Sequence, residues 1–163
     1  RAFAMITVLV RLGLRANELA VLRLDDIDWR AGDVVIHGKG NRAERLPLPA
    51  DVGEAIAAYL RHGRPAKAEG RSVFVRARAP LGPLTGAGVN QVVVAAARRA
   101  GLTHIHAHCL RHTAATLMLR GGATLPEIGQ VLRHRRALTT AIYAKVDHEA
   151  LRTIARAWPG GAA

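Results

Sequence analysis

Hydrophobic residues recur at the spacing of an α-helix over most of the chain. Residues 1–12 predict an apolar helix that ends at Gly13. A second short helix is predicted around Asn17 to Leu22, with Asn17 as its N-cap. Further helical patterns cover residues 51–62, 86–100, 108–120, 124–132, 138–145 and 147–158. Gly121 and Gly122 end the helix predicted at 108–120.

The pattern changes between residues 33 and 49, which read "DVVIHGKGNRAERLPLP". Two short β-prone runs flank a Gly-Lys-Gly-Asn turn, which predicts a β-hairpin. The run "SVFV" at 72–75 is the candidate for a third strand. Thr124 and Glu127 form a capping-box pattern at the start of a helix. The fold class predicted is mainly α with a small antiparallel three-stranded sheet (α+β), in one domain over residues 1–163.

The charge of the chain narrows its partners. Lys and Arg number 24 against 12 acidic residues, which gives a formal net charge of +12, while half of the residues are hydrophobic. This composition predicts a globular domain with a polyanionic partner, and nucleic acid is the first candidate. Most of the cations are arginines, which fits bidentate phosphate recognition and equally fits a GC-rich genome.

Cysteine content and hydropathy bear on location. Cys109 is the only cysteine, so no disulfide forms within the chain, and a reducing cytoplasm is expected. The apolar run "AFAMITVLV" near the start is too short to cross a bilayer, so no membrane partner is expected. Because the chain opens with Arg1 in a helical pattern, we expect that a preceding part of the natural protein is missing.

Six polar residues stand at predicted element ends or share a helical face, and each alone has an ordinary explanation as a surface or core residue. In combination, "GLRANELAVLRLDDID", "GKGNRAERLPLP", "HCLRHTAAT" and "LRHRRALTTAIYAKV" resemble the catalytic domain of the tyrosine recombinases, the phage integrase family. The resemblance covers nearly the whole chain. The residues that match the family's catalytic pattern are Arg15, Lys39, His108, Arg111, His134 and Tyr143.

The resemblance implies site-specific DNA recombination through strand cleavage and religation. Tyr143 would attack a phosphodiester of double-stranded DNA, forming a 3′-phosphotyrosyl intermediate and releasing a 5′-hydroxyl. Arg15 and Arg111 would stabilise the charge on the nonbridging oxygens, because guanidinium groups match the geometry of phosphate. Cations around Tyr143 would also favour its ionised form.

The remaining site residues would handle protons and hydrogen bonds. Lys39, on the hairpin, would be the general acid for the leaving oxygen. His108 would help to accept the tyrosyl proton, and His134 would hydrogen-bond the phosphate. The resemblance implies no cofactor, since neither a metal ion nor ATP is required.

Three features depart from the family pattern or add to it. Arg133 stands where the family usually has Gly. Gly fits a left-handed turn, which Arg adopts only at a cost in free energy. The turn at Arg133 can therefore differ from that of the family. Ala107 replaces the usual Pro before His108. Alternation of His104, His106 and His108 predicts three histidines on one face of a strand, an alternative site for zinc.

Assembly and two rival functions complete the expectations. The family implies an N-terminal DNA-clamping domain that this chain lacks, and a homotetramer on DNA in which the C-terminal helix is exchanged between protomers. The helical stripe Leu151, Ile154, Ala155 and Trp158 suits such exchange, or packing onto its own domain.

Association with the nucleoid is expected. Two other functions remain as alternatives to recombination. One is DNA relaxation like that of a type IB topoisomerase, and the other is DNA binding by a catalytically silent module.

Overall fold

The computed structural model describes residues 1–38, 40 and 42–133. Two compact units divide the chain: one covers Arg1–Ala114, and the other begins at Ala115. Helices predominate, and a small sheet lies in the first unit. In chain order the elements are α1 (Ala2–Leu12), α2 (Ala16–Ala20), β1 (Ile27–Asp28), β2 (Asp33–His37), β3 (Ala43–Pro47), α3 (Ala50–His62), α4 (Gly86–Arg99), α5 (Ala107–Arg120) and α6 (Leu125–Val131).

The core of the first unit is built from amphipathic helices. On α1 the buried positions include Met5, Val8, Leu9 and Leu12, one stripe of a helix with 3.6 residues per turn. Each large side chain of this kind contributes about 1.5–3 kcal/mol when fully buried. As predicted, α1 ends at Gly13, whose φ of 58° is left-handed. The chain therefore turns sharply just before the short second helix.

The N-cap of helix α2 lies two residues earlier than the sequence pattern predicts. Arg15, rather than Asn17, is the N-cap residue, in an extended conformation. The cause lies three residues on, because the Glu18 carboxylate accepts the Arg15 backbone N–H at 2.8 Å. A carboxylate at the third helical position that reaches back in this way satisfies a donor at the helix start. The prediction of Asn17 as the N-cap is wrong for this reason.

The sheet is antiparallel with the strand order β1-β2-β3. The predicted hairpin is confirmed, with Val34 opposite Leu46 and Val35 opposite Arg45. The third strand is β1, however, and not residues 72–75. Ser72 and Val75 form only isolated bridges, to Arg23 and Pro83.

Burial explains why "SVFV" resembled a strand. Val73, Phe74 and Val75 are fully buried, and Phe74 stacks on Tyr59 of α3 with ring centroids 5.1 Å apart. The apolar pattern of this segment therefore reports its place in the core rather than pairing in a sheet. Tyr59 itself is 3% exposed, and its hydroxyl oxygen accepts the Val75 N–H at 3.4 Å.

The later helices have the capping box and the glycine end that the sequence predicts. Thr85 caps α4 by accepting the Gly88 N–H, and Thr124 caps α6 with Glu127 in the predicted capping box. After α5, Gly122 is left-handed with φ 89°. In the second unit, Ala115, Ile128 and Leu132 form a small buried cluster. The predicted helices at 138–145 and 147–158 lie outside the described residues.

Within residues 1–38, 40 and 42–133, no helix has the length and apolar character needed to cross a membrane.

Candidate functional site

Of the predicted site residues that the structure describes, Arg111 is the most deeply buried. It lies on α5, and only 2% of its surface is exposed. Its Nη1 donates to the carbonyl oxygen of Gly13 at 2.5 Å. Gly13 follows the C-terminus of α1, where the helix dipole carries partial negative charge and favours a cation. A buried guanidinium is therefore tethered to the turn that leads into α2.

Arg15 lies two residues after that turn. Its Nη1 donates to the Glu18 carboxylate at 2.7 Å, and its own backbone N–H is bound to the other oxygen of the same carboxylate. Glu18 is 5% exposed, whereas the side chain of Arg15 is about half exposed. The buried carboxylate thus orients a guanidinium that remains accessible to a ligand.

His108 is one helical turn before Arg111 on α5, as the sequence spacing predicts. Its Nε2 is 2.8 Å from Nε2 of His112, so one ring donates the hydrogen bond that the other accepts. Partial burial lowers the pKa of His108, and the nearby His112, Arg111, His106 and Arg15 lower it further. The neutral form, which can accept a proton, is favoured at neutral pH.

These three residues line one open pocket of about 300 Å³. Two arginines and His108 therefore line a common space, an arrangement that suits an oxyanion such as a phosphodiester. The complete lining is Leu14, Arg15, Ala16, Asn17, Asn90, His106, Ala107, His108 and Arg111.

Lys39, His134 and Tyr143 lie outside the described residues. For Lys39 the structure describes the end of the strand that leads into the hairpin turn. His37, the last residue of β2, donates from Nε2 to Asp26 at 2.8 Å, and Asp26 also accepts the Arg23 N–H at 2.8 Å. Asp26 is 8% exposed. The strand that leads to Lys39 is thus fastened at its end to the segment that follows α2.

The histidine-rich segment departs from its prediction. His104 lies in a bend with φ 60°, and His108 is already in α5, so the expected strand with three histidines on one face is wrong. Ala107 starts the helix, which turns the side chains by about 100° per residue instead of alternating them. Within the described ranges, no three His, Cys, Asp or Glu side chains are placed to hold a metal ion.

Arg133 keeps the left-handed conformation that the family's Gly would suit, with φ 55°. Its Nη1 donates to the Val131 carbonyl at 2.9 Å. The left-handed backbone conformation costs a residue that has a side chain about 1–2 kcal/mol. Arg133 nevertheless adopts the left-handed conformation expected of the family's Gly.

Sequence reasoning missed three supporting residues. Glu18 was detectable, since a Glu three positions after a helix N-cap is a known capping signal. His112 was detectable from its four-residue spacing to His108. Asn90 gave no signal, because its contact with α5 joins segments far apart in sequence.

Residues 1–150 match the phage integrase family. An integrase/recombinase of Sinorhizobium fredii, y4rA, is 53% identical over 165 residues, covering 99% of this chain and 40% of that protein. Tyrosine recombinase XerC of Bacillus pumilus is 35% identical, covering 91% of this chain and 50% of that protein.

Among solved structures, the XerH site-specific recombinase in a post-cleavage complex with its palindromic difH substrate has a TM-score of 0.78 and 26% identity. The match covers 94% of this chain and 44% of XerH. The chain thus spans half or less of the length of these three proteins. Because the family match covers residues 1–150 of its 163 residues, the chain belongs to the phage integrase family.

Proposed function

We propose that the chain is the catalytic domain of a site-specific tyrosine recombinase that cleaves and religates double-stranded DNA. The observation that carries this proposal is the pocket in which Arg15, His108 and Arg111 converge. Family membership supports it, as does the DNA-bound state of XerH.

The proposed reaction begins with attack on the scissile phosphate. The Tyr143 oxygen forms a bond to phosphorus, and the bond from phosphorus to the 5′ oxygen breaks. Arg15 and Arg111 stabilise the negative charge that grows on the nonbridging oxygens. Removing one such donor from an enzyme site typically costs about 10²–10³-fold in rate. Because Arg111 is held by Gly13 and Arg15 by Glu18, little reorganisation is needed when that charge develops.

Two proton transfers accompany the attack. His108 accepts the tyrosyl proton, in keeping with a lowered pKa that leaves its ring neutral. Lys39 donates a proton to the leaving 5′ oxygen, and His134 hydrogen-bonds the phosphate. A general acid or base of this kind contributes about 10²–10⁴-fold. The 5′-hydroxyl of another strand then attacks the phosphotyrosyl bond and regenerates Tyr143.

A basic surface along α4 supports DNA as the partner. A second, wide pocket of about 780 Å³ has four arginines in its lining: Arg1, Arg76, Arg78 and Arg99. None of its lining residues is acidic. Phosphate contacts of this type give affinity and register without reading sequence.

Assembly is part of the proposal. We propose that the active species is a homotetramer on DNA, in which the C-terminal stripe of Leu151, Ile154, Ala155 and Trp158 docks on a neighbouring protomer. A further DNA-clamping domain would complete the protein. Deleting the residues after Asp147 should then abolish cooperative assembly on DNA while the protein stays folded. A large drop in melting temperature of the truncated monomer would contradict docking on the neighbour.

The experiment that tests the activity uses a nicked DNA duplex carrying the target site, selected from the DNA flanking the gene. A protein–DNA adduct that survives denaturation, together with strand exchange between two sites, is expected. Plasmid relaxation without strand exchange would instead indicate a topoisomerase. DNA binding without any adduct would indicate a silent binding module.

A further inference from the structure

The start of α5 is fastened to α4 by one side chain. Ala107 is the first residue of α5 and only 4% exposed. Its backbone N–H donates to Oδ1 of Asn90, on α4, at 3.0 Å. The first N–H groups of a helix have no partner within the helix, and a buried one must find a partner elsewhere. Asn90 supplies that partner.

This link lies directly beside the proposed catalytic groups. His108 is the next residue after Ala107, and Arg111 follows one turn later. Asn90 and Ala107 line the same pocket as both of them. Arg111 is itself tethered to Gly13, so the first turn of α5 is held at two points. One point fixes its start to α4, and the other fixes Arg111 to the end of α1.

The residue type at position 90 fits this task. An amide oxygen accepts the Ala107 N–H without adding charge. A carboxylate could accept the same hydrogen bond, but it would bring a negative charge into a pocket that contains Arg15 and Arg111 and compete there with a phosphate. A neutral acceptor therefore holds the helix while leaving the cations available.

We propose that Asn90 is a positioning residue, which sets the place of His108 and Arg111 relative to Arg15 by binding the first N–H of α5. The inference rests on the proposed function for its effect on catalysis, but the hydrogen bond can be tested without activity. Asn90 acts through Ala107 and not by touching the DNA.

A double-mutant cycle in the full-length protein tests the role. Asn90→Leu keeps the branched shape and removes the acceptor. Ala107→Pro removes the donor, and proline is well suited to the first position of a helix. At saturating nicked DNA, Asn90→Leu should slow adduct formation about tenfold, since small misplacements of catalytic groups are costly. In the Ala107→Pro background the same substitution should change the rate by less than about twofold. Gln130→Leu, at an exposed position on α6 that lines neither pocket, is the matched control.

Amide hydrogen exchange gives the second readout. The Ala107 N–H should be protected in the unaltered protein and exchange at least about tenfold faster in Asn90→Leu, while amides in the middle of α4 keep their protection. Unchanged exchange or an unchanged cleavage rate in Asn90→Leu would overturn the proposal. An equal loss of rate with and without Ala107→Pro would also overturn it, because Asn90 would then act by another route. If the unaltered protein forms no adduct, the proposed function fails, and the exchange experiment still decides whether Asn90 holds α5.

Discussion

Replacing Arg111 with Lys tests whether a buried guanidinium both ties the fold together and binds the phosphate. The substitution keeps the positive charge but replaces a planar fork of donors with a single ammonium group. Arg111 is 2% exposed, and its Nη1 reaches the Gly13 carbonyl at 2.5 Å. A lysine ammonium cannot keep that contact and also present two parallel donors to a phosphate. Either the tether or the phosphate contact is lost.

The two losses have different magnitudes. A hydrogen bond involving a charged group contributes about 1.5–3 kcal/mol to stability, so loss of the contact with Gly13 should lower the free energy of unfolding by about that amount. Loss of the phosphate contact should lower the cleavage rate by about 10²–10³-fold. Urea denaturation measures the first effect, and single-turnover cleavage of a nicked duplex measures the second. Arg98→Lys, on the exposed surface of α4, is the matched control and should change neither.

The outcome that would refute this reasoning is a variant that unfolds at the same urea concentration as the parent protein and cleaves DNA at the same rate. In that case the contact with Gly13 does not stabilise the fold, and the planar fork is not needed at the phosphate.

Three further predictions concern pH, the turn at Arg133 and salt. Because the folded pKa of His108 is lowered, the unfolded state binds more protons between that pKa and about 6.5, so His108 opposes folding as pH falls through this window. In this pH window the rise in unfolding free energy with pH should be smaller in His108→Gln than in the parent protein. Urea titrations at several pH values measure it. An equal dependence of unfolding free energy on pH in both proteins would contradict the lowered pKa of His108. Arg133→Gly should raise the unfolding free energy by up to about 1 kcal/mol by relieving the positive φ, less than the full strain because Gly is more flexible when unfolded; a destabilised variant in thermal unfolding would show that the Arg133 side chain matters more. Arg78→Ala should weaken DNA binding alike for all sequences and reduce the slope of log affinity against log salt by roughly one unit, and an unaltered slope would place Arg78 away from phosphate.

The parts of the site that sequence predicted are those set by local spacing. His108 and Arg111 are three residues apart, so helical periodicity placed them on a common face of one helix. Arg15 follows a glycine turn, so the same pattern placed it at a helix start. Their convergence in one pocket depends on how α1, α2, α4 and α5 pack. That convergence was expected only through the family resemblance.

The parts that sequence did not predict depend on contacts between distant segments. Asn90 is an ordinary polar residue within a helical pattern, and its role is visible only because Ala107 lies against it. The segment 72–75 was mistaken for the third strand because burial in a core and burial in a sheet give the same apolar run. The short β1 has only two residues, too few for a recognisable alternation.

The most direct test of the central claim asks which tyrosine becomes linked to DNA. The chain has two tyrosines, and Tyr59 is a core residue whose pKa is raised by burial. After incubation with a nicked duplex, the adduct should be digested and the DNA-linked peptide sequenced in the parent protein, in Tyr143→Phe and in Tyr59→Phe. The account predicts a phosphotyrosyl peptide containing Tyr143, no adduct in Tyr143→Phe despite normal DNA binding, and an adduct retained in Tyr59→Phe. An adduct that persists in Tyr143→Phe would contradict it.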